Sequence, residues 1–363
     1  MPDIEEIYDQ CTHRLPGHGL RKPMKVIFQE LADSLDGSEM PDGYGSGSYL
    51  ADFEAEIAGL FGKEAGVFMP SGIMAQQAAL RVWCEQRNNF NIAMHPTAHL
   101  EFAEHGAYTF LHGFKRLQFG APEFLRERIL TVDDFDSLGS QPGAILLELP
   151  YRPLGGELPT WEQLLAIQAW AKARSIPLHL DGARIWTCRP FYHKDYQEIA
   201  ALFDSVYVSF YKDLGGLCGA MLLGSKAFIQ EARVWQTRHG GRLVTLGPYV
   251  VSAHMRLKQV LPCINQFVER AREITAILSQ FEHIALRPNP PQVNFFQLYV
   301  RGNPEVLNER HQRLAQESGI FLFWNLYSSG VPGVAMTELH CWENAMQFDL
   351  RLLRPFVETL LQA

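Results

Sequence analysis

The spacing of apolar and polar positions divides this chain into two regimes. From residue 144 to 239 short continuous apolar runs alternate with amphipathic helical patterns. The runs at 144–149, 177–180, 206–210 and 218–223 have strand length and little alternation, as expected of strands covered on both faces. Between and after them lie helices predicted over 160–174, 196–203 and 225–239. The first opens on Thr160-Trp161-Glu162-Gln163, a capping box, and Gly240-Gly241 ends the last. Upstream, residues 23–35 place Met24, Ile27, Phe28 and Leu31 at helical spacing, and residues 49–60 place Leu50, Phe53, Ile57 and Leu60 on one face, stopped by Gly62. An apolar run at 65–69 leads into Pro70-Ser71-Gly72-Ile73-Met74-Ala75, which opens a helix toward Val82.

Past Pro248 the pattern changes. A long helical stretch over 249–281 precedes an alternating strand at 293–300, a helix over 305–318, β-type runs at 320–324 and 333–339, and a terminal helix. The fold class predicted is α/β: a large domain over 1–248 with an N-terminal arm and a mainly parallel sheet, then a small α+β domain over 249–363, tied to it by the long helix.

Composition narrows the function classes. The formal charge of −8 leaves no electrostatic footprint for nucleic acid or anionic lipid. No apolar run approaches the ~20 residues of a membrane helix. The start, Met1-Pro2-Asp3-Ile4-Glu5-Glu6, is acidic and has no secretory pattern. Six scattered cysteines without C-x-x-C suit reduced thiols and a cytoplasmic location.

The candidate chemistry lies at two strand ends. Leu178-His179-Leu180-Asp181-Gly182-Ala183-Arg184 brings a carboxylate to the carboxyl end of one predicted strand, and Lys212 follows the next, 31 residues later. Side chains there line the ligand crevice of an open α/β sheet. An amine and a carboxylate in that crevice suit pyridoxal 5'-phosphate: the lysine bonds the aldehyde, and the aspartate keeps the ring nitrogen protonated. Taken singly each has an ordinary explanation, a helix cap for Asp181 and solvation for Lys212. Ser71 and Gly72 open a helix whose free amides suit a phosphate, although Ser71 alone also reads as an N-cap. His95 and His99, followed by Glu101, Glu104 and His105, raise a metal site. Pro96 interrupts a shared helix face and no H-E-x-x-H is present, so no metal is expected, and an imidazole laid on an aromatic ring is the better use. Pro41-Asp42-Gly43-Tyr44-Gly45-Ser46-Gly47-Ser48 matches neither phosphate-loop pattern.

Together these residues resemble the threonine aldolase / aromatic amino acid β-eliminating lyase family of fold-type I pyridoxal phosphate enzymes. The likeness spans about residues 44–224. Its marks are Tyr44-Gly45, Leu60-Phe61-Gly62-Lys63-Glu64-Ala65, Pro70-Ser71-Gly72-x-Met74-Ala75, Ala98-His99, residues 178–184, Asp204-Ser205-Val206 and Ser209-x-x-Lys212-x-Leu214-Gly215. The resemblance implies a seven-stranded sheet, a small amino-acid substrate, a homodimer or homotetramer, and roles residue by residue. Lys212 resembles the Schiff-base lysine, Asp181 the ring-nitrogen partner, Arg184 the guanidinium that meets cofactor and substrate carboxylate, and His99 the imidazole stacked on the ring and a candidate base. Ser71, Gly72, the Ile73 amide and Ser209 are similar to phosphate ligands, with Tyr44 and His18 as substrate contacts. The chain departs from the pattern at Ile73, which lacks a hydroxyl. It also departs in the absence of an arginine in Gly333-Val334-Ala335-Met336-Thr337-Glu338-Leu339-His340 and of a substrate-facing histidine within 131–143. The basic cluster Arg238-His239-Gly240-Gly241-Arg242 is a candidate replacement. The expected reaction is cleavage of a β-hydroxy-α-amino acid to glycine and an aldehyde. β-Elimination, transamination and a non-catalytic cofactor-binding role are the alternatives.

Overall fold

The computed structural model describes residues 3–120 and 125–362, which form two compact units. The larger comprises residues 25–151 and 158–262. Its seven-stranded sheet runs in the order Ala65–Met69, Ala220–Gly224, Ser205–Ser209, Leu178–Gly182, Ala144–Glu148, Asn91–Met94, Lys115–Leu117. Every neighbouring pair is parallel except those of Ala220–Gly224, which is antiparallel to both its partners. The mainly parallel sheet is thus as expected. Its central strands are buried at every position, which accounts for their unbroken apolar sequences.

Helices Gly72–Gln86 and Lys226–Arg238 pack on one side, where Trp83 stacks on Phe228 with ring centroids 4.6 Å apart. Across the sheet Phe53, from helix Ser48–Leu60, meets Phe68 and Phe210. One polar strut crosses this apolar packing. The fully buried His179 contacts Ser205 Oγ at 2.7 Å and Gln76 Oε1 at 2.6 Å, and burial pulls its pKa down to about 3, so it stays neutral. The glycine-rich turn is held by a carboxylate: Asp42 Oδ1 accepts from Leu246 N at 2.7 Å and Gly247 N at 2.8 Å, at the start of helix Gly247–Val260.

The smaller unit comprises the described residues up to Met24, then Arg152–Glu157 and the chain from Cys263 on. Its antiparallel sheet is ordered Tyr327–Ser328, Val334–His340, Phe295–Arg301, Ile284–Arg287, and helices Ile264–Leu278, Pro304–Ser318 and Leu353–Leu361 contribute to its core. The division differs from the expected boundary at residues 248 and 249. The N-terminal arm joins the C-terminal unit, where His13–Arg14 pairs parallel with Ile320–Phe321. The expected long helix is two, Gly247–Val260 and Ile264–Leu278, with a 3₁₀ turn at Leu261–Cys263. Pro262, which has no amide to donate, lies at this junction. Strands Asn91–Met94, Lys115–Leu117 and Ile284–Arg287 went unpredicted. They are three or four residues long and owe their form to pairing with a neighbouring strand rather than to their own short pattern. No described helix is long and apolar enough to cross a membrane.

The return from Lys212 into the antiparallel strand turns at Gly219, with φ of +106° and no room for a side chain: a Cβ would lie 2.1 Å from Phe68 Cζ. Gly219→Ala is expected to destabilise the protein by about 2–4 kcal/mol, read as a lowered melting temperature by circular dichroism. An unchanged melt would show that the turn relaxes freely.

Candidate active site

Three parallel strands bring ionisable groups level with one another at their carboxyl ends. Glu148 pairs in register with Asp181, and Asp181 with Tyr207. Asp181 is buried, and one of its carboxylate oxygens accepts from Ala183 N at 3.0 Å. Lys212 follows the Tyr207 strand by three residues. Burial pulls its amine below the usual lysine range, opposed first by the neighbouring charge of Asp181. A lysine so placed has a larger neutral, nucleophilic fraction than one in water. Arg184 leaves the turn after Asp181, and its Nη1 lies 4.0 Å from the fully buried carboxylate of Asp213.

The second wall starts where strand Ala65–Met69 enters helix Gly72–Gln86. Ser71 Oγ accepts from Met74 N at 3.2 Å, so the cap predicted for it is real. Gly72 is tightly enclosed, since a Cβ there would sit 2.0 Å from Tyr207 Oη, and Ile73 is exposed. His99 opens the short helix His99–Phe102 and donates its backbone N–H to Glu148 Oε1 at 2.7 Å. Its ring Nδ1 lies 2.9 Å from Glu104 Oε1, and Glu104 Oε2 accepts from Gln77 Nε2 at 2.9 Å. An ionised carboxylate only accepts, so the neutral ring carries its proton on Nδ1 and presents Nε2 as an acceptor.

Lys212, Asp181, Arg184 and the Ser71–Gly72 helix start thus come together within the larger unit. Glu148 binds His99, and its register partner Asp181 is the carboxylate whose charge acts most strongly on Lys212. Ser209 is committed elsewhere, donating its hydroxyl to Ala183 O at 2.7 Å in full burial. Tyr44 is exposed at φ +49°. Its N–H donates to Val244 O, and its carbonyl accepts from Arg242 Nε at 2.6 Å. Arg242, suggested as a replacement cation, is therefore engaged with that turn. Its neighbour His239 lies 2.9 Å from His112, and Arg238 lies over the Trp235 ring. His18 belongs to the smaller unit, where it contacts Glu343 at 2.7 Å and stacks on Trp342. Sequence reading missed Glu148, hidden in the apolar run Ile145-Leu146-Leu147-Glu148-Leu149. The available signal was a lone acid ending a fully buried strand. Glu104 was noticed only as a possible metal ligand.

The family model described as "Beta-eliminating lyase" matches residues 23–301. The chain belongs to the beta-eliminating lyase family. A solved Listeria monocytogenes structure, provisionally named an L-allo-threonine aldolase, superposes with a TM-score of 0.93 at 34% identity, covering 99% of this chain and 98% of that one. An Exiguobacterium structure, provisionally named an aromatic amino acid beta-eliminating lyase/threonine aldolase, gives 0.92 at 33% identity, covering 99% of each. Low-specificity L-threonine aldolase 1 of Arabidopsis thaliana is 24% identical over 74% of this chain and 76% of its own. The cofactor of this family member is pyridoxal 5'-phosphate, and the residues present fit it. A buried amine lies beside a buried carboxylate, and a helix start is closed to side chains at Gly72 but offers backbone amides.

Glu148 gives the site a pH signature. Burial and the charge of Asp181 push its carboxyl up to about 8, whereas an unfolded glutamate titrates near 4.5. Between these values the native state holds a proton that the unfolded state has lost, so this group makes stability fall as pH rises from about 4.5 to 8. Glu148→Gln keeps an acceptor for His99 N and removes the titration. In urea unfolding of the cofactor-free protein, the variant is expected to gain on wild type steadily between pH 5 and 8.5. Parallel stability curves would show instead that Glu148 ionises as it does in water.

Proposed function

We propose that this protein cleaves the Cα–Cβ bond of a β-hydroxy-α-amino acid, releasing glycine and an aldehyde. The observation that carries the reading is the buried Lys212 amine beside Asp181, on the same sheet edge from which Glu148 holds the backbone of His99. Pyridoxal phosphate, when bound, supplies the electron sink for the bond broken at Cα. Lys212 would hold the cofactor by its aldehyde, and its lowered pKa supplies the neutral, nucleophilic amine that this role requires. Asp181 keeps the proton on the ring nitrogen. Arg184 grips the substrate carboxylate through its planar fork, which orients the scissile bond. Ser71 and Gly72 present the helix start to the phosphate.

His99 would help to hold the cofactor, and its Nε2 takes the substrate's hydroxyl proton. Glu104, behind Nδ1, stabilises the imidazolium that results. As that proton leaves, the carbonyl of the aldehyde forms and the bonding pair passes to Cα; a proton delivered to Cα completes glycine. Tyr44, exposed on its strained turn, is a further proposed substrate contact. The relatives' names favour threonine or allo-threonine as the substrate class. The reading extends to a cytoplasmic homodimer or homotetramer, and elution at the monomer volume would count against the assembly.

The test is product analysis with threonine, allo-threonine and phenylserine. Glycine plus aldehyde is expected, whereas pyruvate with ammonia would replace aldol cleavage by β-elimination. Lys212→Ala should abolish turnover with the melting temperature retained. Asp181→Asn should lower kcat by about 100-fold or more, since a neutral amide cannot hold the ring charge. Full activity in either variant would overturn the assignment.

A further inference from the structure

Of the hydroxyl groups that the sequence offers around the helix start, only one keeps a proton for a phosphate. Ser71 Oγ accepts from Met74 N and still has its own proton to give, whereas Ser209 Oγ spends its proton on Ala183 O and Ile73 has none to offer. The first turn of a helix provides amides, but a phosphate dianion has three outer oxygens and takes charge-assisted bonds from hydroxyls as well. One hydroxyl does reach this turn from another element. Tyr207 is fully buried on the strand beside Asp181, and its Oη occupies the space a Gly72 side chain would need.

That phenol lies close enough to the phenol of Tyr211 for each to shift the other's ionisation, the proximity from which a shared hydrogen bond can form. Two hydroxyls that share one hydrogen bond use one proton between them and keep one to give outward. Tyr211 is the member with access to the outside: it is 38% exposed, directly precedes Lys212, and its ring lies 5.9 Å from Lys212 Nζ. Burial holds both phenols protonated, so the pair is a donor at neutral pH.

We propose that Tyr211, backed by Tyr207, is a second hydroxyl donor to the cofactor phosphate in this chain, beside Ser71. Gly72 is then required because the Tyr207 hydroxyl fills the place of its side chain. This rests on the pyridoxal phosphate reading of Lys212, and the experiment separates the two. Cofactor-free wild type, Tyr211→Phe and Tyr207→Phe would be titrated with pyridoxal 5'-phosphate and with pyridoxal, following the absorbance of the lysine-bound chromophore.

Each phenylalanine variant is expected to bind the phosphorylated form at least about tenfold more weakly, the size of one hydrogen bond to a charged group, and pyridoxal as wild type does. A second hydroxyl introduced at the helix start, Ile73→Thr in the Tyr211→Phe background, is expected to recover part of the loss. Unchanged affinity for the phosphate form, or equal weakening for both compounds, would overturn the proposal and leave the lysine reading intact. Wild type that binds neither compound would overturn both. Melting temperatures of the variants guard against misfolding, and if Tyr207→Phe fails to fold the surface-facing Tyr211→Phe decides alone.

Discussion

A lysine amine buried beside a buried aspartate is the constraint on which the rest of the larger unit turns. Taking an amine out of water disfavours its charged form, and the carboxylate next to it pulls the other way. In Lys212 burial has the larger effect, so the amine stays below the usual lysine range with Asp181 still at hand for a ring nitrogen. Such an arrangement survives only if neighbouring charges are arranged with it. Arg184 faces Asp213, Asp181 takes an amide from Ala183, and Glu148 meets the crowding of negative charge by holding its proton.

The sheet supplies the geometry this needs. Parallel strands deliver their carboxyl ends to one edge, so Glu148, Asp181 and Tyr207 stand level although 33 and 26 positions separate them in sequence. The single antiparallel strand, Ala220–Gly224, gives the chain after Lys212 a short way back into the sheet. Elsewhere a helix start is used twice, once by the Asp42 carboxylate and once, at Gly72, left open to an anion. His99 is held from two sides, its backbone by Glu148 and its ring by Glu104, so its position depends on residues from three separate elements.

Much of this was legible in the residues. The apolar runs at 144–149, 177–180 and 206–210 each became a strand of the central sheet, because strands buried on both faces cannot carry polar alternation. Asp181, Arg184 and Lys212 were legible as a set, because an amine and a carboxylate at two strand ends, with the Ser71–Gly72 helix start, make a combination that no one residue's ordinary use explains. Lys115–Leu117 was not legible, since two of its three residues are charged and its neighbour shapes it. Pro262 did carry its signal, and the break in the long helix shows that a proline outweighs the helical periodicity around it.

By itself the sequence determined the buried central strands and the amphipathic helices between them, and which two of those strands lead to an amine and a carboxylate. Local propensity and apolar periodicity are properties of neighbouring residues, so they can be read in order. Only the tertiary structure decided that Ser209 faces a backbone carbonyl, that the N-terminal arm joins the C-terminal unit, that Glu148 shares the row of Asp181, and that Tyr207 reaches Gly72. Those facts depend on strand order and register, which bring together side chains distant along the chain, and no local pattern encodes them.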